Sequence, residues 1–107
     1  MRVLLIEDDL KTAGFVIKGI KESGFVMDHA VDGDEGLHMA LRSHYDTAII
    51  DIMLAKMDGL SLIEELRCNK IKMPLLILSV KRKAFPLLDI HSLASPSLPH
   101  YQIVILQ

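Results

Sequence analysis

Cysteine is almost missing from this 107-residue chain: Cys68 stands alone, which excludes an internal disulfide and points to a reducing compartment. Charge of one sign is not in excess either. Twelve basic and fourteen acidic residues leave a net charge of −2, all but Asp89 mixed along the first 83 positions, so nothing forms a basic footprint for nucleic acid. Long apolar runs are lacking as well. The opening Val3-Leu4-Leu5-Ile6 is cut off by Glu7-Asp8-Asp9, which is far too short for a signal peptide or a membrane span, and a cytoplasmic protein is expected. His29, His38, His44, His91 and His100 are not spaced as metal ligands. No internal repeat or low-complexity tract interrupts the chain. With half of its residues apolar, it is long enough for one core that buries about two-thirds of the unfolded surface.

What is present is a pair of short apolar runs that each stop at acids. Val3–Ile6 ends in Glu7-Asp8-Asp9, and Thr47-Ala48-Ile49-Ile50 ends in Asp51. Helical patterns follow both, so they read as parallel strands whose carboxyl ends share a cluster of carboxylates. Such a cluster raises its own energy and needs a divalent cation, a shared proton or solvent to be tolerated. Taken one pair at a time, acids of this kind are as often plain strand ends and helix caps.

The spacing predicts a strand over Arg2–Glu7, then a helix over Leu10–Ser23 that turns Leu10, Ala13, Ile17 and Ile20 to one side and stops at Gly24. Asp9 is expected to cap it. A strand over Phe25–Ala30 is followed by a turn and cap at Asp32-Gly33-Asp34 and a helix over Glu35–Arg42. A third strand over Thr47–Ile52, a helix over Leu60–Cys68 and a fourth strand over Leu75–Leu78, ending at Ser79, complete the pattern. Met27, Met39, Met53, Met57 and Met73 read as core filler. This βαβαβαβ alternation calls for an α/β fold, a doubly wound, mostly parallel sheet with helices on both faces, because each parallel return needs a right-handed crossover.

Glu7-Asp8 after the first strand, Asp51 after the third, Met57-Asp58-Gly59 in the next loop and Ser79 after the fourth resemble the receiver domain of two-component response regulators. The wording MRVLLIEDD, DGDEGLHMAL, DIML..MDGLSLIEELR and PLLILS is most similar to the OmpR/PhoB class of DNA-binding transcription regulators, over about residues 1–83. The resemblance implies a flavodoxin-like fold of strand order 2-1-3-4-5 and a signalling module rather than an enzyme. A sensor histidine kinase would be its partner, passing a phosphoryl group to Asp51. An aspartyl phosphate places roughly −2 of charge beside Glu7 and Asp8, and at ~4 Å each unit contact costs about 4 kcal/mol at an effective dielectric near 20. Mg²⁺ is the natural remedy. By the same resemblance Asp8, Asp51 and the backbone carbonyl of Met53 would bind the ion, Glu7 would act mainly through water, and the Ser79 hydroxyl would hydrogen-bond the phosphoryl oxygen.

After Lys83 the family pattern is lost. From Ala84 to Gln107 the only charged side chain is Asp89, and Pro86, Pro96 and Pro99 fall within the segment. Where receivers carry a fourth helix, a fifth strand ending in Lys-Pro and a fifth helix, this chain reads AFPLLDIHSLASPSLPHYQIVILQ, with no lysine beyond Lys83. Counting without gaps puts Tyr101 at the lysine position; aligning Tyr101 with the family's switch aromatic puts Val104 there. The chain therefore divides into a receiver-like core, 1–83, and a divergent apolar tail, 84–107. The fold is expected to be incomplete or altered after the fourth strand, the tail supplying a short helix near Lys83 and a last strand over Gln102–Leu106. Ala55, where the family usually has proline, predicts a looser loop. A shifted reading frame or truncation, natural divergence, and a segment exchanged with a second chain all remain open as origins of the tail.

Several functional expectations follow from these departures. Output should be impaired without the lysine, direct nucleic-acid binding by this chain is not expected, and the uncovered first helix and apolar tail predict a homodimer. Two other functions stay in view: a phosphate-independent pseudo-receiver or interaction module, and a Mg²⁺-dependent phosphohydrolase of the haloacid dehalogenase type with Asp51 as nucleophile. The second needs another acid two residues on, where Met53 stands.

Overall fold

A strand covered on both faces is apolar throughout rather than alternating, and β1 (Arg2–Ile6) has that pattern, an exposed Arg2 followed by four buried residues. In the computed structural model, which describes residues 1–54, 56–80 and 101–106, β1 pairs in parallel with β2 (Val26–Ala30) on one side and β3 (Thr47–Asp51) on the other. Further out, β4 (Leu75–Val80) pairs with β3 and β5 (Tyr101–Leu106) pairs with β4, both in parallel. The five-stranded order is β2-β1-β3-β4-β5, the order that the resemblance to receiver domains implies. The last strand begins one residue before the predicted Gln102.

Side chains that alternate along each strand sort into two cores. On one face Leu4, Ile6, Ala48, Ile50, Leu75 and Ile77 pack with Ala40 of α2 (Gly33–Arg42) and Leu62, Ile63 and Leu66 of α3 (Gly59–Cys68). On the other, Val3, Leu5, Ile49 and Leu78 meet Ala13 of α1 (Leu10–Glu22), with Val16, Ile17 and Ile20 only partly covered. Leu10, expected on the inward side, is 70% exposed, as is Phe15 at 75%, and Val16 takes the place in the stripe. Leu10 is the first residue of the helix, and Ala13, a turn further on, is the first of the stripe to be buried.

Caps set the helix starts. Asp32 accepts the Glu35 amide at 2.8 Å and Asp58 accepts the Ser61 amide at 2.8 Å, so α2 and α3 each begin at the glycine following their cap, slightly earlier than predicted. Asp9 sits at the N-cap of α1 and its carbonyl takes the Ala13 amide, but its carboxylate holds the Thr12 hydroxyl instead of a helix amide. Gly24, at φ 87°, follows α1 in the left-handed conformation that a residue with a Cβ rarely adopts. The short helix expected near Lys83, the looseness expected at Ala55 and the Ser79 hydroxyl lie outside what is described.

Candidate functional site at the carboxyl edge of the sheet

The pairing of Ile6 with Ile50 brings the next residues of β1 and β3 to the same edge of the sheet. Glu7 and Asp51 therefore lie side by side, 0% and 1% exposed, with Asp8 on the solvent side. One oxygen from each of the three carboxylates lies within 4.8 Å of the others. The acids singled out from the two apolar runs thus form one pocket.

Its electrostatics are those of a group awaiting a positive charge. Glu7 Oε2 accepts the Asp9 amide at 3.3 Å, while Oε1 is buried with no hydrogen-bond partner among the described residues. Burial, then the neighbouring carboxylate of Asp51, pushes Glu7 up to about 9. At neutral pH the pocket alone holds a proton on Glu7. A hard divalent cation can replace that proton, because carboxylate oxygens are the donors it prefers; the orphaned Oε1 and the convergence of three oxygens fit such an ion.

The loop beyond β3 is packed tightly beneath the pocket. The Met53 amide donates to Asp51 Oδ1 at 3.1 Å, and the Gly59 amide donates to the Ile52 carbonyl at 3.2 Å. A Cβ at Gly59 would lie 2.7 Å from the Asp51 carbonyl oxygen, so the start of α3 can press against the strand end only as glycine. Met53 is 44% exposed at the rim and is not core filler, unlike Met27, Met39, Met57 and Met73, which pack against the two cores. Lys56, at φ 67°, reaches across to Asp32 with Nζ 3.2 Å from Oδ2, tying this loop to the cap of α2.

Two other positions bear on the pocket. In the sheet register Asp51 is level with Leu78, and Leu78 with Val104, so Val104 rather than Tyr101 occupies the row of the acid on β5. No residue of Tyr101–Leu106 is charged. His29 of β2 places Nε2 2.8 Å from the Glu7 carbonyl oxygen. Nothing in the sequence marks this histidine; only the strand pairing brings it to the acids.

The pattern of the response regulator receiver domain matches residues 3–91. The chain belongs to that family. Over 79 residues the receiver is 44% identical to the probable transcriptional regulatory protein SilR of Salmonella typhimurium and 40% identical to the transcriptional regulatory protein CusR of Escherichia coli K12, both of the OmpR/PhoB class. Each match covers 74% of this chain and 35% of the relative, so the receiver spans about a third of the length of these curated relatives. Among solved structures, the receiver domain of Francisella response regulator 1452 is 33% identical with a TM-score of 0.78, covering 95% of this chain and 82% of that one. TrrA of Thermotoga maritima, solved in complex with Mg²⁺ and BeF, shares the fold at 24% identity and a TM-score of 0.80, with 99% and 86% covered. Among the described residues no helix is long and apolar enough to cross a membrane.

Proposed function

We propose that Asp51 is the phosphoacceptor of this receiver and takes a phosphoryl group from a sensor histidine kinase in the cytoplasm. The observation that carries the reading is the convergence of Glu7, Asp8 and Asp51, two of them buried, at the carboxyl edge of a parallel sheet. An Asp51 carboxylate oxygen forms the new bond to phosphorus while the bond to the donor's leaving atom breaks. Bound Mg²⁺ would neutralise the phosphoryl oxygens as charge builds on them. Asp8, Asp51 and the Met53 carbonyl are the groups assigned to hold that ion, with Glu7 acting through water and giving up its proton as the cation enters. The Ser79 hydroxyl is assigned to the phosphoryl group, after which the β4 end would adjust.

Output is proposed to be weak. A lysine beside the phosphate would add a charge-assisted contact worth about 1.5–3 kcal/mol, and β5 offers only uncharged residues. Control of transcription is a property of longer proteins and reaches this chain only as a proposal. Self-association is proposed as well, supported by exposed Phe15 beside the thinly covered Val16 and Ile20. A phosphohydrolase is disfavoured by Met53 where a second acid would be needed.

Incubation with acetyl phosphate and Mg²⁺ followed by mass spectrometry is expected to show one phosphoryl adduct, lost in Asp51→Asn. An adduct that persists in Asp51→Asn would overturn the assignment. A protein that neither binds Mg²⁺ nor forms an adduct would be a pseudo-receiver.

A further inference from the structure

The end of β1 is held to β2 by two bonds of different kinds. The Glu7 amide donates to the Ala30 carbonyl at 3.0 Å, continuing the parallel ladder one step past Ile6. Beyond Ala30 the chain turns away, through Val31, into the Asp32 cap of α2. The Glu7 carbonyl, the next group along β1, takes its hydrogen bond from a side chain, His29 Nε2 at 2.8 Å. A carbonyl can only accept, so Nε2 carries a proton and donates it to this bond.

That bond acts on the site through the peptide it grips. The Glu7 carbonyl belongs to the peptide that joins Glu7 to Asp8, the buried and the exposed acids of the pocket. The Ile6–Glu7 peptide is held through the Glu7 amide by Ala30 and the Glu7–Asp8 peptide through its carbonyl by His29, so the backbone on both sides of the Glu7 Cα is restrained. That same Glu7–Asp8 peptide leads directly into the Asp8 Cα, so its orientation sets where the Asp8 side chain starts. His29 itself is steadied by its place in the sheet: it is partly buried, level with Leu5, on the face where Met27 and Leu5 pack toward α1.

Resting on the metal-site reading above, we infer that His29 is a positioning residue for divalent-cation binding, holding the Glu7–Asp8 peptide so that Asp8 and Asp51 face one ion. It touches neither ion nor phosphoryl group. Groups that orient ligands from behind typically change metal affinity by 10–100-fold when removed, and His29 works through a backbone carbonyl, so the lower end of that range is expected.

The test is an isothermal Mg²⁺ titration of the intact chain in three forms. Wild type should bind, His29→Phe should bind roughly tenfold more weakly, and His29→Gln, whose amide nitrogen can donate from a similar reach, should recover most of the loss. Metal-free melting temperatures are measured alongside. Equal affinity in wild type and His29→Phe overturns the role of His29 while leaving the metal site standing. No binding in wild type overturns the metal site and the role together. Should His29→Phe fail to fold, wild type labelled with ¹⁵N at histidine decides: Mg²⁺ must shift the His29 Nε2 resonance, and an unmoved resonance in a protein that binds the ion overturns the inference.

Discussion

At the amino-terminal edge of the sheet Asp28 takes both the Arg2 guanidinium and the Tyr45 hydroxyl at 2.7 Å, and Asp46 takes the Arg2 amide at 2.7 Å. At the carboxyl edge Glu7 lies deeper than either, with a buried oxygen that meets no donor among the described residues and another acid beside it. The consequences run in opposite directions. The Tyr45 hydroxyl, then Arg2, holds Asp28 below the usual carboxylate range, whereas burial and Asp51 push Glu7 up to about 9. Both edges belong to one sheet and are built by the same strands, so packing alone does not explain the contrast. An acid that is given donors has its charge satisfied; an acid that meets another acid instead has its charge left for a proton or a cation.

The largest expected effect breaks the contrast at its unpaired end. Glu7 keeps its proton in the folded chain up to about pH 9 but loses it near 4.5 when unfolded. Between those values the folded state binds the extra proton, so this group's contribution to stability is greatest below about 4.5 and is lost as pH rises toward 9. By pH 7 the loss amounts to as much as about 3 kcal/mol. Glu7→Gln removes the titrating group, and its urea-unfolding free energy should fall less between pH 5 and pH 8 than that of wild type. Saturating Mg²⁺ should flatten the wild-type curve in the same way. Parallel pH curves for wild type and Glu7→Gln would mean that burial beside Asp51 does not disfavour the Glu7 charge.

At the paired end the sign reverses. Asp28 has its charge satisfied, so its contribution is present above the normal carboxylate range and fades as pH falls through its depressed value. Asp28→Asn weakens the contact with Arg2 and should cost about 1–3 kcal/mol at pH 7, and Tyr45→Phe, which removes one donor, about 1 kcal/mol. Tyr45 is 4% exposed, and burial together with Asp28 pushes its hydroxyl up to about 12, so it donates throughout the physiological range. Thermal unfolding of both variants at pH 7 and pH 3.5 checks this: the Asp28→Asn penalty should shrink at the lower pH. A penalty independent of pH would assign the cost to packing, not charge.

Much of this was legible in the residues because the signals are local. Two apolar runs ending in Glu7 and Asp51 fix strand ends, and parallel strands can only set those ends side by side. Asp32 and Asp58 announce their helices because a cap needs nothing beyond the next three residues. The misses were set by neighbours distant in sequence. Leu10, expected inward, is exposed where it opens its helix, and Met53, expected as core filler, follows a strand end and is exposed. His29 is one of five scattered histidines until the pairing of Leu5 with His29 sets it beside Glu7. The choice between Tyr101 and Val104 opposite the acid likewise waited on the register of β5.

The smallest expected effect separates acid strain from general stability. Gly14 and Gly19 interrupt α1, and a Cβ at either would meet nothing within 4 Å. Glycine inside a helix costs about 0.5–1 kcal/mol relative to alanine, chiefly through backbone freedom in the unfolded chain. Gly14→Ala and Gly19→Ala should each add stability of that size. Because neither position lies in the acid pocket, the gain should be the same at pH 5, where Glu7 costs little, and at pH 8, where it costs most. Urea unfolding at the two pH values makes the comparison. A gain that grows at pH 8 would mean that stiffening α1 also relieves Glu7. In that case the loop Glu7-Asp8-Asp9 transmits strain between helix and pocket, and the carboxyl edge does not carry its unpaired acid alone.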